Sequence, residues 1–188
     1  MPTTMQRITV SAAVALALTI VACGNGAPGA STSSSAASPP ADGPLAVGAA
    51  APDVTLKLSD GKEVKLADLA TKTVLVYFYP KDDTPGCTAE ANGIKDSWQD
   101  FESAGVAVYG VSTQDAASHE EFISKYSLPF PLVVDTDKTI AKAFGVPTTL
   151  GYAKRQSFLL KDGKVVAMWP DVDPKAHAGE VLAAAKKG

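Results

Sequence analysis

The chain has 188 residues and a formal net charge of −3 at pH 7. A mildly acidic protein without basic clusters has no electrostatic footprint for nucleic acid, so we expect no nucleic-acid partner. The two histidines, His119 and His177, lie far apart without the spacing of metal ligands, and we interpret both as surface residues of helices. We expect no metal site and no cofactor.

Residues 1–22 have the pattern of an export signal. A short polar start containing Arg7 is followed by an apolar stretch of 15 residues, Ile8 to Ala22. Such a stretch is short for a membrane span and suits a secretory signal. The sequence Ile20-Val21-Ala22-Cys23 resembles the end of a bacterial lipoprotein signal, which implies cleavage before Cys23 and a lipid on that cysteine. An ordinary signal peptide with an incidental cysteine and an uncleaved anchor are the alternatives.

The composition of residues 23–45 predicts a flexible tether. Gly, Ala, Ser, Thr and Pro dominate and Asp42 is the single charge, which is too little apolar mass to offset chain entropy. One folded domain, residues 46–188, follows and is large enough for a core. We expect an exported protein, lipid-anchored to the outer face of the bacterial cytoplasmic membrane through Cys23. Cys87 is then the only thiol of the domain, which excludes an internal disulfide, a CxxC motif and a cysteine-based zinc site.

Strands and helices alternate along the predicted domain. A run of β-branched and aromatic residues from Thr73 to Tyr79 predicts a buried central strand. The other predicted elements are a hairpin over 54–66, a helical turn over 66–70, a helix over 88–104 kinked at Asn92-Gly93, a strand over 106–111, a helix opened by a capping box at Ser118, a strand over 132–134, a helix over 137–144, a hairpin over 155–169 and a helix from Asp173-Pro174 to about Lys186, with Pro174 at its first position. This order predicts an α/β fold, a thioredoxin-like three-layer sandwich with a central mixed sheet.

The segment Pro80 to Glu90 (PKDDTPGCTAE) joins the central strand to the next helix. Cys87 lies where the carboxyl end of the strand turns into the amino end of the helix. Ligands of open α/β sheets bind there, and the free N–H groups and positive dipole end of a helix stabilise a thiolate. We interpret Cys87 as an exposed reactive thiol, with a buried structural cysteine as the alternative.

Arg155 stands out by composition. The predicted domain has fifteen lysines and this single arginine. The arginine guanidinium is a rigid planar group that can donate to two partners at once, which a lysine ammonium does less well. The position of Arg155 at the start of a predicted strand therefore indicates a site residue. An ordinary exposed charge is the alternative.

Pro80, Thr84 and Cys87, followed by Glu90 and later Arg155, resemble the active site of the peroxiredoxins. The segment YFYPKDDTPGCTAE is most similar to the bacterioferritin-comigratory-protein or Q-type branch of that family. The resemblance implies a thiol peroxidase for hydrogen peroxide and organic hydroperoxides, in which Cys87 becomes a sulfenic acid. It also implies that Thr84 and Arg155 bind the peroxide, that Pro80 shields the thiolate and that Glu90 holds Arg155.

The chain departs from that branch at Asn92. Many members carry a resolving cysteine at this position, five residues after the peroxidatic one. The departure implies a one-cysteine mechanism, in which an external thiol, either a thioredoxin-like protein or a low-molecular-weight thiol, reduces the sulfenic acid. Two alternatives are a membrane-tethered thiol-disulfide oxidoreductase, for which Gly145-Val146-Pro147-Thr148 resembles the proline loop of thioredoxins, and a non-catalytic lipoprotein binding module.

Overall fold

The structure is a computed structural model that describes residues 43–187. The predicted signal peptide, Cys23 and nearly all of the tether lie outside the described residues. Across residues 43–187, none of the helices has the length and apolar character needed to cross a membrane.

The described residues form nine strands and five α-helices. In chain order these are β1 Thr55–Lys57, β2 Glu63–Lys65, β3 Thr73–Phe78, α1 Pro85–Asp96, α2 Trp98–Ser103, β4 Val106–Ser112, α3 Ala116–Tyr126, β5 Leu132–Val134, α4 Thr139–Phe144, β6 Thr148–Thr149, β7 Tyr152–Ala153, β8 Gln156–Lys161, β9 Lys164–Trp169 and α5 His177–Ala185. The predicted helical turn is present as a 3-10 turn, Leu66–Leu69, after β2.

The central sheet has the strand order β5-β4-β3-β8-β9. The pairs β3–β4 and β4–β5 are parallel, whereas β3–β8 and β8–β9 are antiparallel, so the sheet is mixed as predicted. Alternate residues of β3 contribute to two separate apolar clusters, one on each face. Because β3 is buried on both sides, its sequence is apolar throughout and does not alternate with polar residues.

Helices and the first hairpin cover the two faces of this sheet. Residues of α4 and of the β1–β2 hairpin join one apolar cluster, and residues of α1, α2, α3 and α5 join the other. The result is the predicted three-layer α/β arrangement.

The predicted kink at Asn92-Gly93 is wrong. Helix α1 runs through both residues to Asp96, and α2 begins at Trp98, so the interruption lies at Ser97. A Cβ on Gly93 would lie 4.0 Å from the Cβ of Ala178, so α5 packs closely over this glycine. Glycine in a helix costs about 1 kcal/mol relative to alanine, and the burial of Ala91 and Ile94 on the same helix offsets that cost.

Two predicted helix starts are also wrong. Asp115 caps α3 by accepting a hydrogen bond from the backbone N–H of Ser118 at 2.9 Å, so the helix begins before the predicted capping box. Helix α5 begins at His177 and not at Pro174, which lies in the preceding turn. The short hairpin of β6 and β7 was not predicted, because two-residue strands leave no periodic signal.

Candidate active site

Cys87 is the third residue of α1. The helix begins directly after Thr84, whose backbone is extended (φ −90°, ψ 151°), and Pro85 occupies the first helical position, which suits its fixed φ. The strand-to-helix location predicted for Cys87 is confirmed. Its predicted exposure is wrong, because only 2% of the residue is accessible and it belongs to the apolar cluster that includes Tyr77, Tyr79 and Ala91.

A charged partner distinguishes Cys87 from a cysteine that only fills a core. Arg155 Nη2 donates to Cys87 Sγ over 3.1 Å. Arg155 immediately precedes β8, and the antiparallel pairing of β8 with β3 places Gln156 opposite Phe78 at the carboxyl end of β3. The sheet therefore delivers the guanidinium to the end at which α1 begins.

Arg155 is shared between two acidic groups. Its Nη1 donates to Glu90 Oε2 while its Nη2 contacts the sulfur. The arginine side chain is 18% exposed and that of Glu90 is fully buried. Burial disfavours the guanidinium charge, but the negative charges of Glu90 and Cys87 outweigh it and raise the pKa of Arg155. The predicted contact between Glu90 and Arg155 is present.

Gly86 makes room for the guanidinium. A Cβ at this position would lie 3.2 Å from Arg155 Nη2, closer than most side-chain contacts in proteins. The glycine therefore allows the Arg155 guanidinium to lie against the first turn of α1. A larger residue at position 86 would push Arg155 away from Cys87.

Tyr77 of β3 is buried close to Cys87, Glu90 and Arg155. Burial, together with the neighbouring charges of Glu90 and Cys87, raises the pKa of Tyr77 well above its ordinary value, so its phenol stays neutral. A Cβ on Gly110 would come within 2.6 Å of the Tyr77 hydroxyl, which shows how closely the ring lies on β4.

His177 is a site residue that the sequence interpretation missed. The predicted surface position is wrong, since His177 has no exposed side-chain area and its Nδ1 lies 2.9 Å from Glu90 Oε1. The two groups are not oriented for a hydrogen bond despite this short distance, and neither atom has another hydrogen-bond partner among the described residues. The spacing of four residues between His177 and the buried Val181 is the signal that could have placed it on the inner face of α5.

His119 was also wrongly predicted to be exposed. It is fully buried, and its Nδ1 lies 2.9 Å from Asp82 Oδ2 while its Nε2 lies 3.1 Å from the carbonyl oxygen of Val133. Ser118 and Tyr79 both donate to the same Asp82 carboxylate. The loop between β3 and α1 is therefore attached to α3.

Thr84 and Pro80 flank the site on this loop. The Thr84 hydroxyl donates to the carbonyl oxygen of Lys81 at 3.0 Å, which leaves its lone pairs free to accept. Both residues are half-buried. Their contacts with a peroxide remain predictions. Across residues 43–187, no group of three or more His, Cys, Asp or Glu side chains is arranged to hold a metal ion.

Comparison with known families identifies the chain. The pattern of the AhpC/TSA family matches residues 47–168, which is more than half of the sequence. The chain belongs to the AhpC/TSA family.

Similar members of this family are peroxiredoxins. The chain is 40% identical over 146 residues to the peroxiredoxin bcp of Coxiella burnetii, which covers 73% of this chain and 97% of that protein. It is 43% identical over 144 residues to the chloroplastic peroxiredoxin Q of Oryza sativa subsp. japonica, which covers 74% of this chain and 66% of that protein. A structure of the Xanthomonas campestris bacterioferritin comigratory protein, studied for alkyl peroxide reduction, matches with a TM-score of 0.70 at 38% identity and covers 78% of this chain and 98% of that one.

These relatives confirm the predicted enzyme class and fold. This AhpC/TSA member is a thiol-dependent peroxidase, an oxidoreductase with the thioredoxin-like fold. Peroxiredoxins act on peroxides and are recycled by thiol reductants. The relatives favour the peroxidase over the thiol-disulfide oxidoreductase and the binding module.

Proposed function

We propose that the protein is a one-cysteine peroxidase in which Cys87 attacks hydrogen peroxide or an organic hydroperoxide and an external thiol restores it. The observation that carries this proposal is the 3.1 Å contact between Arg155 Nη2 and Cys87 Sγ. A cationic donor at this distance favours the thiolate over the thiol, and the thiolate is the nucleophile.

The oxidative step breaks one O–O bond and forms one S–O bond. The Cys87 thiolate attacks the terminal oxygen of R–O–O–H, giving Cys–S–OH and an alkoxide that takes up a proton and leaves as an alcohol, or as water when R is hydrogen. Sulfur is oxidised by two electrons and the peroxide is reduced by two. Arg155 supports the charge that develops on the departing oxygen, and Thr84 orients the peroxide.

Asn92 carries the one-cysteine part of the proposal. Cys87 is the only cysteine of residues 43–187, and Asn92 stands where many members of the resembled branch carry a resolving cysteine. An external thiol R′–S–H therefore attacks the sulfenic sulfur, releasing water and forming a mixed disulfide. A second thiol then reduces that disulfide and regenerates Cys87. The reductant is a low-molecular-weight thiol or a thioredoxin-like protein.

The test is a single-turnover experiment on the full chain purified in detergent. Rapid mixing with hydrogen peroxide should consume one peroxide per protein and yield a sulfenic acid that dimedone traps. Cys87→Ser should abolish both signals. A wild-type protein that consumes no peroxide, or an oxidised protein that yields no dimedone adduct in the absence of thiol, would overturn the proposal.

The location of the protein is a separate part of the proposal. The apolar stretch that ends at Ala22-Cys23 supports export and attachment to the outer face of the cytoplasmic membrane through a lipid on Cys23. Labelling cells with a radioactive fatty acid should mark the wild-type protein and leave Cys23→Ala unlabelled. Equal labelling of both proteins, or of neither, would contradict the anchor and leave the peroxidase proposal intact.

A further inference from the structure

Glu90 links the arginine of the site to the carboxy-terminal helix. Its side chain is completely buried, and its two oxygens face different partners. Oε2 accepts from Arg155, whereas Oε1 lies 2.9 Å from Nδ1 of His177. Because neither Oε1 nor Nδ1 has another hydrogen-bond partner within residues 43–187, each is the group placed to satisfy the other.

The surroundings of His177 determine which of its nitrogens carries a hydrogen. Its Nε2 has no partner in the described part of the chain, and its ring packs against Tyr77 and Trp169 with centroid distances of 6.2 and 5.9 Å. With its hydrogen on Nδ1, the ring has its donor atom 2.9 Å from Glu90 Oε1, although the present angle is not that of a hydrogen bond, and it leaves only a lone pair at Nε2. A cationic ring would instead bury an unpaired N–H at Nε2, which is costly. The geometry therefore points to Nδ1 as the nitrogen that acts toward Glu90.

His119 shows the opposite arrangement. Both of its ring nitrogens face acceptors, the Asp82 carboxylate and the Val133 carbonyl oxygen, and a ring must carry two hydrogens to donate to both. The two buried histidines of the described domain thus differ in their surroundings: both nitrogens of His119 have acceptors within 3.1 Å, whereas only Nδ1 of His177 has one nearby.

We propose that His177 is a positioning residue that holds Arg155 against Cys87 through Glu90. This inference rests on the proposed peroxidase function. A carboxylate held by one partner turns about its terminal torsion, whereas partners on both oxygens fix its plane. A fixed Glu90 holds Nη1 in one place, and the planar guanidinium then keeps Nη2 3.1 Å from the sulfur.

The packing around His177 allows its effect on Glu90 to be tested separately from its contribution to packing. An apolar ring at position 177 would still pack against Tyr77 and Trp169, but it would remove the donor atom that lies 2.9 Å from the buried Glu90 Oε1. The carboxylate would then compete more strongly for the arginine, because the guanidinium would be its only source of hydrogen bonds. Arg155 would turn toward Glu90 and away from Cys87.

The experiment compares two substitutions of the full chain in detergent. His177→Phe keeps an aromatic ring and removes the donor, and His177→Asn places an amide N–H close to the original position of Nδ1. Circular dichroism first checks that both variants are folded, and His177→Leu replaces the phenylalanine variant if that one is not. The second-order rate constant for oxidation of Cys87 by hydrogen peroxide is then measured by stopped flow.

We expect His177→Phe to be about tenfold slower than wild type, as for an acceptor left unpaired in a buried site. His177→Asn should recover most of that loss. The double variant Glu90→Gln and His177→Phe should be no slower than Glu90→Gln alone, because the histidine acts through the glutamate. A phenylalanine variant as fast as wild type, or an asparagine variant as slow as the phenylalanine one, would overturn the inference while the peroxidase proposal stands. Wild-type protein as inert as Cys87→Ser would overturn both.

Discussion

Asp82 and His119 form a buried polar contact that ties the active-site loop to α3. Asp82 Oδ2 lies 2.9 Å from His119 Nδ1, and the two side chains are 5% and 0% exposed. Asp82 lies between Pro80 and Thr84, so the contact fixes the backbone that leads into Cys87. Burial opposes the charge on Asp82, but hydrogen bonds from His119, Ser118 and Tyr79 outweigh it and lower the pKa of that carboxyl.

This lowered pKa predicts how Asp82→Asn changes stability. A carboxyl whose folded pKa lies below the ordinary value of about 3.9 stabilises the fold above that pH, and the contribution is lost as the pH falls through the folded pKa. At pH 7 the substitution should lower the free energy of unfolding by about 3 kcal/mol, because it removes a buried carboxylate that is hydrogen-bonded to His119, Ser118 and Tyr79. The difference between wild type and variant should shrink between pH 5 and pH 3. Urea unfolding at several pH values measures it.

Asp83→Asn is the matched control for that substitution. Asp83 pairs with Lys125 at the surface, and both side chains are about half exposed. Its left-handed backbone, with φ of +56°, suits asparagine as well as aspartate. We expect a much smaller loss of stability than for Asp82→Asn. Equal losses in the two variants, or a loss for Asp82→Asn that does not change with pH, would contradict the role assigned to the Asp82 carboxylate.

Arg155→Lys should slow the reaction with peroxide about a hundredfold while the protein remains folded. A lysine keeps the positive charge but cannot place one donor on Glu90 and another on Cys87 at the same time. Lys154→Ala is the control, because its partner Asp171 is exposed and outside the site. Stopped-flow oxidation at pH 7 gives both rate constants. A rate constant for Arg155→Lys within twofold of the wild-type value would refute the need for a guanidinium at this position.

Gly86→Ala should separate activity from stability. The new methyl group would lie 3.2 Å from Arg155 Nη2, and the end of a flexible side chain moves at little cost in folding free energy. Because the rate depends steeply on the placement of catalytic groups and Arg155 must shift by a few tenths of an ångström, we expect oxidation of Cys87 to be about threefold slower. The free energy of unfolding should be nearly unchanged.

Gly179→Ala provides the comparison for Gly86→Ala. Gly179 is an exposed residue of α5, and a Cβ there meets nothing within 4 Å. Alanine should raise the free energy of unfolding by about 0.5 kcal/mol and leave the rate constant at the wild-type value. The role assigned to Gly86 would be wrong if the two alanine variants reacted with peroxide equally fast.

Thr84→Val tests the hydroxyl beside the helix start. Valine keeps the shape of threonine but can neither accept from a peroxide nor donate to the carbonyl oxygen of Lys81. We expect oxidation of Cys87 to slow about tenfold, and Thr84→Ser, which retains a hydroxyl, to lie near wild type. Thr88→Val, one turn further along α1, should have no such effect. Serine and valine variants with the same rate would contradict the role of the hydroxyl.

Local patterns predicted the sheet strands and the position of Cys87. The run Thr73–Phe78 is apolar because both faces of β3 are buried, and that property is visible in the sequence alone. Arg155 was recognised because the predicted domain contains fifteen lysines but only one arginine. These features depend on the residues themselves, so no knowledge of their neighbours was needed.

The burial of Cys87 and of both histidines could not be read in the same way. His119 and His177 are buried because Asp82 and Glu90, carried by distant parts of the chain, supply their polar contacts. A polar residue without a visible partner is normally assigned to the surface. The unbroken course of α1 through Gly93 likewise depends on α5, which follows more than eighty residues later.

Cys87 and Arg155 are separated by 68 positions in the chain, and only the pairing of β8 with β3 brings them together. A chain that is still being synthesised or is held unfolded therefore carries a cysteine without its cationic partner. Its thiol differs little from that of a short peptide until the last hairpin docks. On the proposed mechanism, reactivity toward peroxide is therefore gained late in folding, after the central sheet is complete.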